Sequence, residues 1–107
     1  MPVNHIVLFK FKPLVTTEDV ENAYKNMLAL KEKCIKSDTG KPYIQSLTGG
    51  PSNSIEGYED GFQYAFVVVF ESVEDRDYYV KKDEAHSGFV GTIIDLMEKI
   101  VVFDYSF

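Results

Sequence analysis

An α+β fold is predicted by three features of the amino-acid sequence. Segments rich in Val, Ile, Phe and Tyr occur at 3–12, 61–72 and 99–107, and this composition is typical of β-strands. Apolar residues recur at helical spacing after the first of these segments and again before the last. With one further short strand, the order becomes β-α-β-β-α-β. This is the ferredoxin-like pattern, a four-stranded antiparallel sheet with helices on one face.

The first strand, VNHIVLFKFK (residues 3–12), lies between Pro2 and Pro13. Thr16 and Asp19 then have the spacing of a capping box, in which a hydroxyl accepts a hydrogen bond from the backbone N–H three residues later. The helix that begins there is predicted to run to about residue 36 on apolar positions at helical spacing. Those positions are Val20, Ala23, Tyr24, Met27, Leu30 and Cys34.

Glycine and proline residues punctuate the middle of the chain. They bound a predicted strand at about 42–48 and a long polar loop at 49–60. The run GFQYAFVVVFES (61–72) follows, and its nearly continuous apolar character predicts a strand that is buried on both faces.

A second capping pattern, at Ser72 and Asp75, predicts a short helix that ends at about residue 82. A further helix over 84–97 leads to the last strand, KIVVFDYSF (99–107). The second helical region of the fold is therefore broken in two. Its apolar positions are Phe89, Val90, Ile93, Ile94 and Met97.

Helices on one face leave the opposite face of the sheet uncovered. The alternation of the strands places a set of apolar side chains there, and a bare apolar face is typical of a partner surface. We therefore expect a homodimer whose two sheets pack face to face into a barrel. The residues on this uncovered face are Ile6, Leu8, Val67, Val69, Val101, Phe103 and Tyr105.

A single domain over residues 1–107 is expected from the length, with one modest hydrophobic core. The 17 acidic and 11 basic residues give a net charge of −6, which argues against nucleic acid and anionic membrane surfaces as partners. The apolar stretch at the N-terminus is short and interrupted by charge, unlike a signal peptide or a membrane span. The single cysteine, Cys34, forms no internal disulfide, and a cytoplasmic location is the expectation.

The letters Asp83-Glu84-Ala85-His86 match the DEAH box of nucleotide-hydrolysing helicases. The chain has no phosphate-binding G-x-x-x-x-G-K-[ST] loop, so that interpretation fails. An H-E-x-x-H motif and a cysteine cluster are also missing, so no metal is expected. Asp83 and Glu84 are expected to be exposed at a helix start, where the helix dipole favours acidic side chains.

The two histidines of the chain are the remaining candidates for chemistry. His5 stands mid-strand on a face otherwise made of Val and Phe, and His86 opens the helix that is expected to pack over that face. Asp104 interrupts an apolar run in the last strand, and Tyr78 and Tyr79 lie on the preceding helix. A half-buried imidazole near a carboxylate and a phenol suits proton transfer near neutral pH. A satisfied core histidine is the alternative.

Four segments of the chain, VNHIVLFKFK, FVVVFESVEDRDYYV, DEAHSGFV and IVVFDYSF, together resemble the stress-responsive A/B barrel (Dabb) family over essentially the whole length. The resemblance implies a dimeric α+β barrel, in agreement with the order of elements. Family members include stress-induced plant proteins and a polyketide cyclase that acts without a cofactor on a linear poly-β-ketone thioester. The resemblance therefore implies an enzyme of that type, with no cofactor.

The resemblance also implies roles for individual residues. His86 corresponds to the general base of the cyclase, which starts an intramolecular aldol- or Claisen-type ring closure. The assisting tyrosine falls on Tyr79. One extra residue before His86 leaves Tyr78 as the alternative.

Further positions are implied to bind the substrate. His5 and Asp104 fall on polar positions that would hold its polar ends, and Met27 stands where the cyclase has a tyrosine that faces the cavity. The full set of expected substrate-binding residues is His5, Val7, Phe9, Tyr24, Met27, Phe66, Val68, Phe89 and Asp104.

Two other functions stay open. In the first, the protein is a non-catalytic, stress-responsive dimer that binds a small apolar ligand, and His86 is a structural residue bonded to the backbone. In the second, the same fold is a metal- or haem-dependent oxidase, which would carry colour or bound metal after purification.

Overall fold

The structure, a computed structural model, describes all 107 residues and contains one four-stranded sheet with the strand order β2-β3-β1-β4. All three strand pairs are antiparallel, and the helices cross over between strands that are not neighbours. The ferredoxin-like α+β prediction is therefore confirmed. The elements are β1 Val3–Phe11, α1 Thr17–Lys33, β2 Ile44–Pro51, β3 Tyr64–Phe70, α2 Val73–Lys81, α3 Glu84–Ile93 and β4 Met97–Ser106.

Strand β1 lies between β3 and β4 and buries every second residue. The buried face lies under the helices, because side chains of a strand alternate between the two faces of its sheet. In this register His5 stands opposite Val68 on one side and opposite Asp104 on the other. The only polar residue of that buried face of β1 is therefore placed beside a carboxylate.

The helix starts follow the predicted capping patterns. The hydroxyl of Thr16 accepts a hydrogen bond from the backbone N–H of Asp19 at 3.1 Å, and that of Ser72 accepts one from Asp75 at 3.2 Å. Each bond satisfies an N–H group that has no partner within the helix. A third cap was not recognised: the Asp83 carboxylate accepts from the backbone N–H of His86 at 3.0 Å and fixes the start of α3.

Three predicted boundaries are wrong. Helix α1 ends at Lys33, because Ile35 forms an isolated bridge with Pro42. Strand β2 runs on to Pro51, so the loop predicted from residue 49 begins at 52. The last helix ends at Ile93, a 3₁₀ turn over Ile94–Leu96 follows, and Met97 already belongs to β4.

Gly49 in β2 lies too close to β3 to carry a side chain. A methyl group at Gly49 would collide with the ring of Phe66 and would lie 2.7 Å from the carbonyl oxygen of Ala65. We expect Gly49→Ala to lower the free energy of unfolding by about 1–3 kcal/mol, as measured by urea denaturation. The neighbouring Gly50 has no atom within 4 Å of such a methyl group, so Gly50→Ala is the matched control. An equal loss in both variants would contradict this steric account.

The face of the sheet opposite the helices is uncovered in the single chain. Phe103 and Tyr105 are 64% and 47% exposed, and Phe103 stands opposite Ile6. The other apolar residues predicted for this face are partly exposed: Ile6, Leu8, Val67, Val69 and Val101. None of the helices is long and apolar enough to pass through a lipid bilayer.

Candidate functional site

A cavity of about 260 Å³ lies between the helix-side face of the sheet and helices α2 and α3. Ten of its twelve lining residues are hydrophobic, and the other two are His5 and His86. The two imidazoles are therefore the strongest polar groups that a molecule in this cavity would meet. Of the residues predicted for the site, His5, Val7, Phe9, Met27, Tyr79, His86 and Phe89 line it.

His86 is held by its neighbours in one tautomer. Its Nδ1 atom lies 2.9 Å from the backbone carbonyl oxygen of Tyr79, and a carbonyl oxygen only accepts, so Nδ1 must donate. In the neutral ring the lone pair then resides on Nε2. Burial lowers the pKa of His86, against a smaller opposing effect of the Tyr79 carbonyl, and a lowered pKa keeps the ring unprotonated near pH 7. The His86 ring is therefore set up to accept a proton at Nε2.

His5 is held in a comparable way by a carboxylate. Its Nδ1 atom lies 2.7 Å from Oδ1 of Asp104, and the other carboxylate oxygen accepts from Nη1 of Arg76 at 2.8 Å. Burial is the largest influence on the pKa of His5 and lowers it, although Asp104 acts in the opposite direction. His5 is thus a second imidazole with Nδ1 engaged and Nε2 free.

The structure separates the two tyrosine candidates. The ring of Tyr79 is 1% exposed and stacks on the His86 ring, with 3.9 Å between centroids and 25° between planes. Tyr78 instead accepts a hydrogen bond from the backbone N–H of Ser37 at 3.2 Å and lies outside the cavity. Of the two, Tyr79 is the one that contacts His86.

The family resemblance implies that the hydroxyl of the assisting tyrosine donates a hydrogen bond, either to the imidazole or to an oxyanion of the substrate, and the Tyr79 hydroxyl does not bond to the imidazole. It is buried and has no hydrogen-bond partner, and burial raises the pKa of this phenol. Its oxygen therefore makes no hydrogen bond to His86. Tyr79 contacts His86 through its ring face and its backbone carbonyl.

Four residues expected to bind substrate do not line the cavity. Phe66 and Val68 are fully buried in the core, and the hydroxyl of Tyr24 donates to the carbonyl oxygen of Gly49 at 3.2 Å. All three side chains contribute to packing around β3 and α1. Asp104 is the fourth, but it holds His5, which does line the cavity.

Asp83 was expected to be exposed, and that expectation is wrong. The side chain is 4% exposed, because it caps α3 and also accepts a hydrogen bond from the hydroxyl of Tyr43 at 2.5 Å. Glu84, by contrast, is exposed as predicted. The Asp83 carboxylate thereby fixes the backbone of the residue that carries the second imidazole.

Sequence reasoning missed Arg76 and part of the cavity wall. Arg76 is the only arginine in the chain, which was a usable signal, but its partner Asp104 lies on another element. The missed apolar lining residues come from α2, α3 and β4: Val80, Val90, Ile93, Ile100 and Val102.

No group of three or more His, Cys, Asp or Glu side chains is placed to hold a metal ion. The buried thiol of Cys34 has its pKa raised to about 12, chiefly by desolvation. A thiol with so high a pKa is protonated near neutral pH and is a poor nucleophile.

The fold and the site can now be compared with known proteins. Residues 3–107 match the model of the Stress responsive A/B Barrel Domain (Dabb) family. The chain belongs to this family. Olivetolic acid cyclase from Cannabis sativa is 29% identical over 107 residues, which cover 99% of this chain and 97% of the relative. The stress-response A/B barrel domain-containing protein HS1 of Arabidopsis thaliana is also 29% identical, covering 97% and 88%.

Solved structures share the fold of this chain. The hydroxynitrile lyase from Passiflora edulis superposes with a TM-score of 0.83 at 23% identity, covering 97% of this chain and 91% of that one. A Thermobifida fusca protein, described as dimeric and ferredoxin-like, has a TM-score of 0.78 at 17% identity, covering 100% and 92%. At these identities the likeness concerns the fold alone.

Proposed function

We propose that this Dabb protein is a cofactor-free enzyme of the polyketide-cyclase type, which closes a ring in a linear poly-β-ketone by an aldol- or Claisen-type reaction. One observation carries the proposal: the imidazole of His86 lines an apolar cavity with Nδ1 bonded to the Tyr79 carbonyl, so that its Nε2 atom is the free base. The relationship to olivetolic acid cyclase supports the choice of reaction.

In this mechanism Nε2 of His86 removes a proton from a carbon between two carbonyl groups of the substrate. The resulting enolate carbon attacks another carbonyl of the same chain. In an aldol closure the protonated imidazole returns the proton to the new alkoxide, and in a Claisen closure the attacked thioester carbonyl expels its thiolate, which takes up that proton. The ten hydrophobic lining residues fold the chain so that the two reacting carbons meet, which lowers the entropic barrier. Their apolar surface also favours the neutral form of His86 before the reaction.

The test is a direct assay with a synthetic linear poly-β-ketone thioester. The wild-type protein is expected to yield a cyclised aromatic product faster than the spontaneous reaction, as followed by chromatography and mass spectrometry. If the product profile and rate equal those of buffer across a series of chain lengths, the cyclase proposal is wrong.

Tyr79→Phe removes the hydroxyl and keeps the ring, so this variant tests the contribution of the hydroxyl alone. The phenol oxygen is buried without a partner, and an unsatisfied buried polar group costs about 1–3 kcal/mol. We therefore expect the variant to be at least as stable as the wild type in urea denaturation and to keep its turnover within about threefold, a change of less than 1 kcal/mol in the barrier. A loss of turnover as large as that of a His86 variant would show that the hydroxyl takes part in the reaction.

A second candidate is a non-catalytic, stress-responsive protein in which the cavity only binds a small apolar molecule. The contacts that fix His86, to the Tyr79 carbonyl and the Asp83 carboxylate, are compatible with a structural histidine as well. The stress-response description of the Arabidopsis relative favours this candidate. Under either function, we expect a homodimer formed through the uncovered face of the sheet.

A further inference from the structure

We propose that Arg76, acting through Asp104, holds the His5 ring with Nε2 as a second hydrogen-bond acceptor in the cavity, and that the ligand supplies a phenolic or enolic hydroxyl to this acceptor. This inference rests on the cavity being the ligand site proposed above, but it does not require catalysis. Arg76 is a positioning residue here, because it acts on the ligand only through Asp104 and His5.

Three side chains, Arg76, Asp104 and His5, are linked by hydrogen bonds that lead from the protein surface into the cavity. The guanidinium of Arg76 occupies one oxygen of the Asp104 carboxylate at 2.8 Å, and the other oxygen lies 2.7 Å from Nδ1 of His5. The side chains of Arg76 and Asp104 are 23% and 20% exposed, and that of His5 is 6% exposed. The partly exposed end of this hydrogen-bonded series therefore carries the charged groups, and its buried end is the imidazole of His5.

Burial is the main influence that lowers the pKa of His5 and favours the neutral ring, and the neighbouring charges act on top of it. Asp104 on β4 favours the protonated ring, Arg76 on α2 opposes it, and His86 on α3 is the other titratable ring close enough to interact with His5. Arg76 also binds Asp77 at 2.8 Å, and the rings of Tyr79 and Phe70 pack edge-on against His5. Burial, with a smaller contribution from Arg76, opposes the effect of the Asp104 charge, so the carboxylate can orient His5 while the ring stays neutral.

A neutral imidazole whose Nδ1 donates to Asp104 has only a lone pair to offer at Nε2. The same holds for His86, whose Nδ1 donates to Tyr79. Apart from the buried hydroxyl of Tyr79, the polar side-chain groups of the lining residues are then two acceptors within a hydrocarbon lining. Such a lining recognises a molecule that brings hydroxyl donors on an apolar skeleton.

The chain has two histidines, so its imidazole NMR spectrum contains two signals, and each can be titrated separately. Arg76→Met is expected to raise the pKa of His5, because the Asp104 charge is then no longer offset. Asp104→Asn is expected to lower it, and Arg76→Lys to stay close to the wild type. Opposite shifts of the His5 pKa in Arg76→Met and Asp104→Asn would show that Arg76 acts on His5 through the Asp104 charge. If the two residues had only a structural role, the pKa of His5 would shift in the same direction in both variants or in neither.

Lys36→Met is the matched control for these titrations. Lys36 binds Asp75, which lies on the same helix as Arg76, but Lys36 does not touch His5. Removing this cation should therefore leave the His5 titration unchanged. Long-range nitrogen–proton spectra above the titration range should show the His5 proton on Nδ1. The proposal is overturned if Arg76→Met and Lys36→Met give the same His5 titration, or if that proton is on Nε2.

The ligand part is tested in His86→Phe, which keeps an aromatic ring next to Tyr79 and leaves His5 as the only imidazole. We expect 3-propylphenol to bind about fivefold tighter than its methyl ether in this variant, as measured by NMR shift titration, because one net hydrogen bond is lost with the ether. Equal affinities would show that His5 is not an acceptor. Neither the histidine titrations nor the ligand titration involves turnover, so an absence of cyclase activity would not count against this proposal.

Discussion

His86→Asn is expected to lower turnover of a poly-β-ketone substrate by about 10²–10⁴-fold, the usual contribution of a general base. The substitution is chosen from the geometry of the site. The amide nitrogen of asparagine can occupy the position of Nδ1 and donate to the Tyr79 carbonyl, but asparagine has no counterpart of the basic Nε2. The variant thus removes the proton acceptor and keeps the structural hydrogen bond.

The expected loss of stability in His86→Asn is small by comparison. Only the stacking of the imidazole on Tyr79 is lost, and such aromatic contacts contribute about 0.5–1.5 kcal/mol. Gly49→Ala provides a control that is expected to be destabilised at least as much, since it strains the core at Phe66, which does not line the cavity. It should unfold more easily and still turn over substrate. If His86→Asn keeps full turnover, His86 is not the base, and if the Gly49 variant loses turnover equally, the loss in His86→Asn is explained by destabilisation instead.

Much of the fold could be predicted because its signals are local. The alternation in β1 and the Thr16 and Ser72 caps depend on residues a few positions apart, and each was recognised. The same alternation, combined with antiparallel pairing, places His5 and Asp104 on one face. The ferredoxin-like order makes β1 and β4 neighbours, but the direct opposition of His5 and Asp104 also depends on the register of the two strands, which the order does not provide.

The parts that could not be predicted depend on how helices cross the sheet. Tyr78 and Tyr79 are adjacent on α2 and point in different directions, so only the orientation of that helix decides which one meets His86. Phe66 and Val68 lie on the same face as His5. They are buried in the core against α1. Knowing which face of the sheet they occupy was not enough to predict that they lie outside the cavity. Arg76 was missed because its partner Asp104 is far away in sequence. The cap that Asp83 forms with His86 is local and was overlooked, whereas its bond to Tyr43 joins residues that are far apart in sequence.

Phe103→Asp is expected to convert the protein from a homodimer to a monomer. Phe103 is 64% exposed in the single chain and lies in the apolar face opposite the helices. In a symmetric dimer that joins two such faces, one substitution introduces a carboxylate twice. Burying an unpaired carboxylate in an apolar interface costs several kcal/mol per ion, and about 4 kcal/mol in total would already weaken dimerisation by about 10³-fold.

The assembly is measured by sedimentation velocity over a range of concentrations, with circular dichroism to show that each variant is folded. Leu14→Asp is the matched control, because Leu14 is 96% exposed and lies in the connection between β1 and α1, outside the strands that form the uncovered face. It introduces the same charge and should leave the dimer intact. A dimeric Phe103→Asp variant would place the interface elsewhere, and a monomeric wild type would show that the apolar face serves another partner. Only a Phe103-specific loss of the dimer supports packing of the two sheets into one barrel.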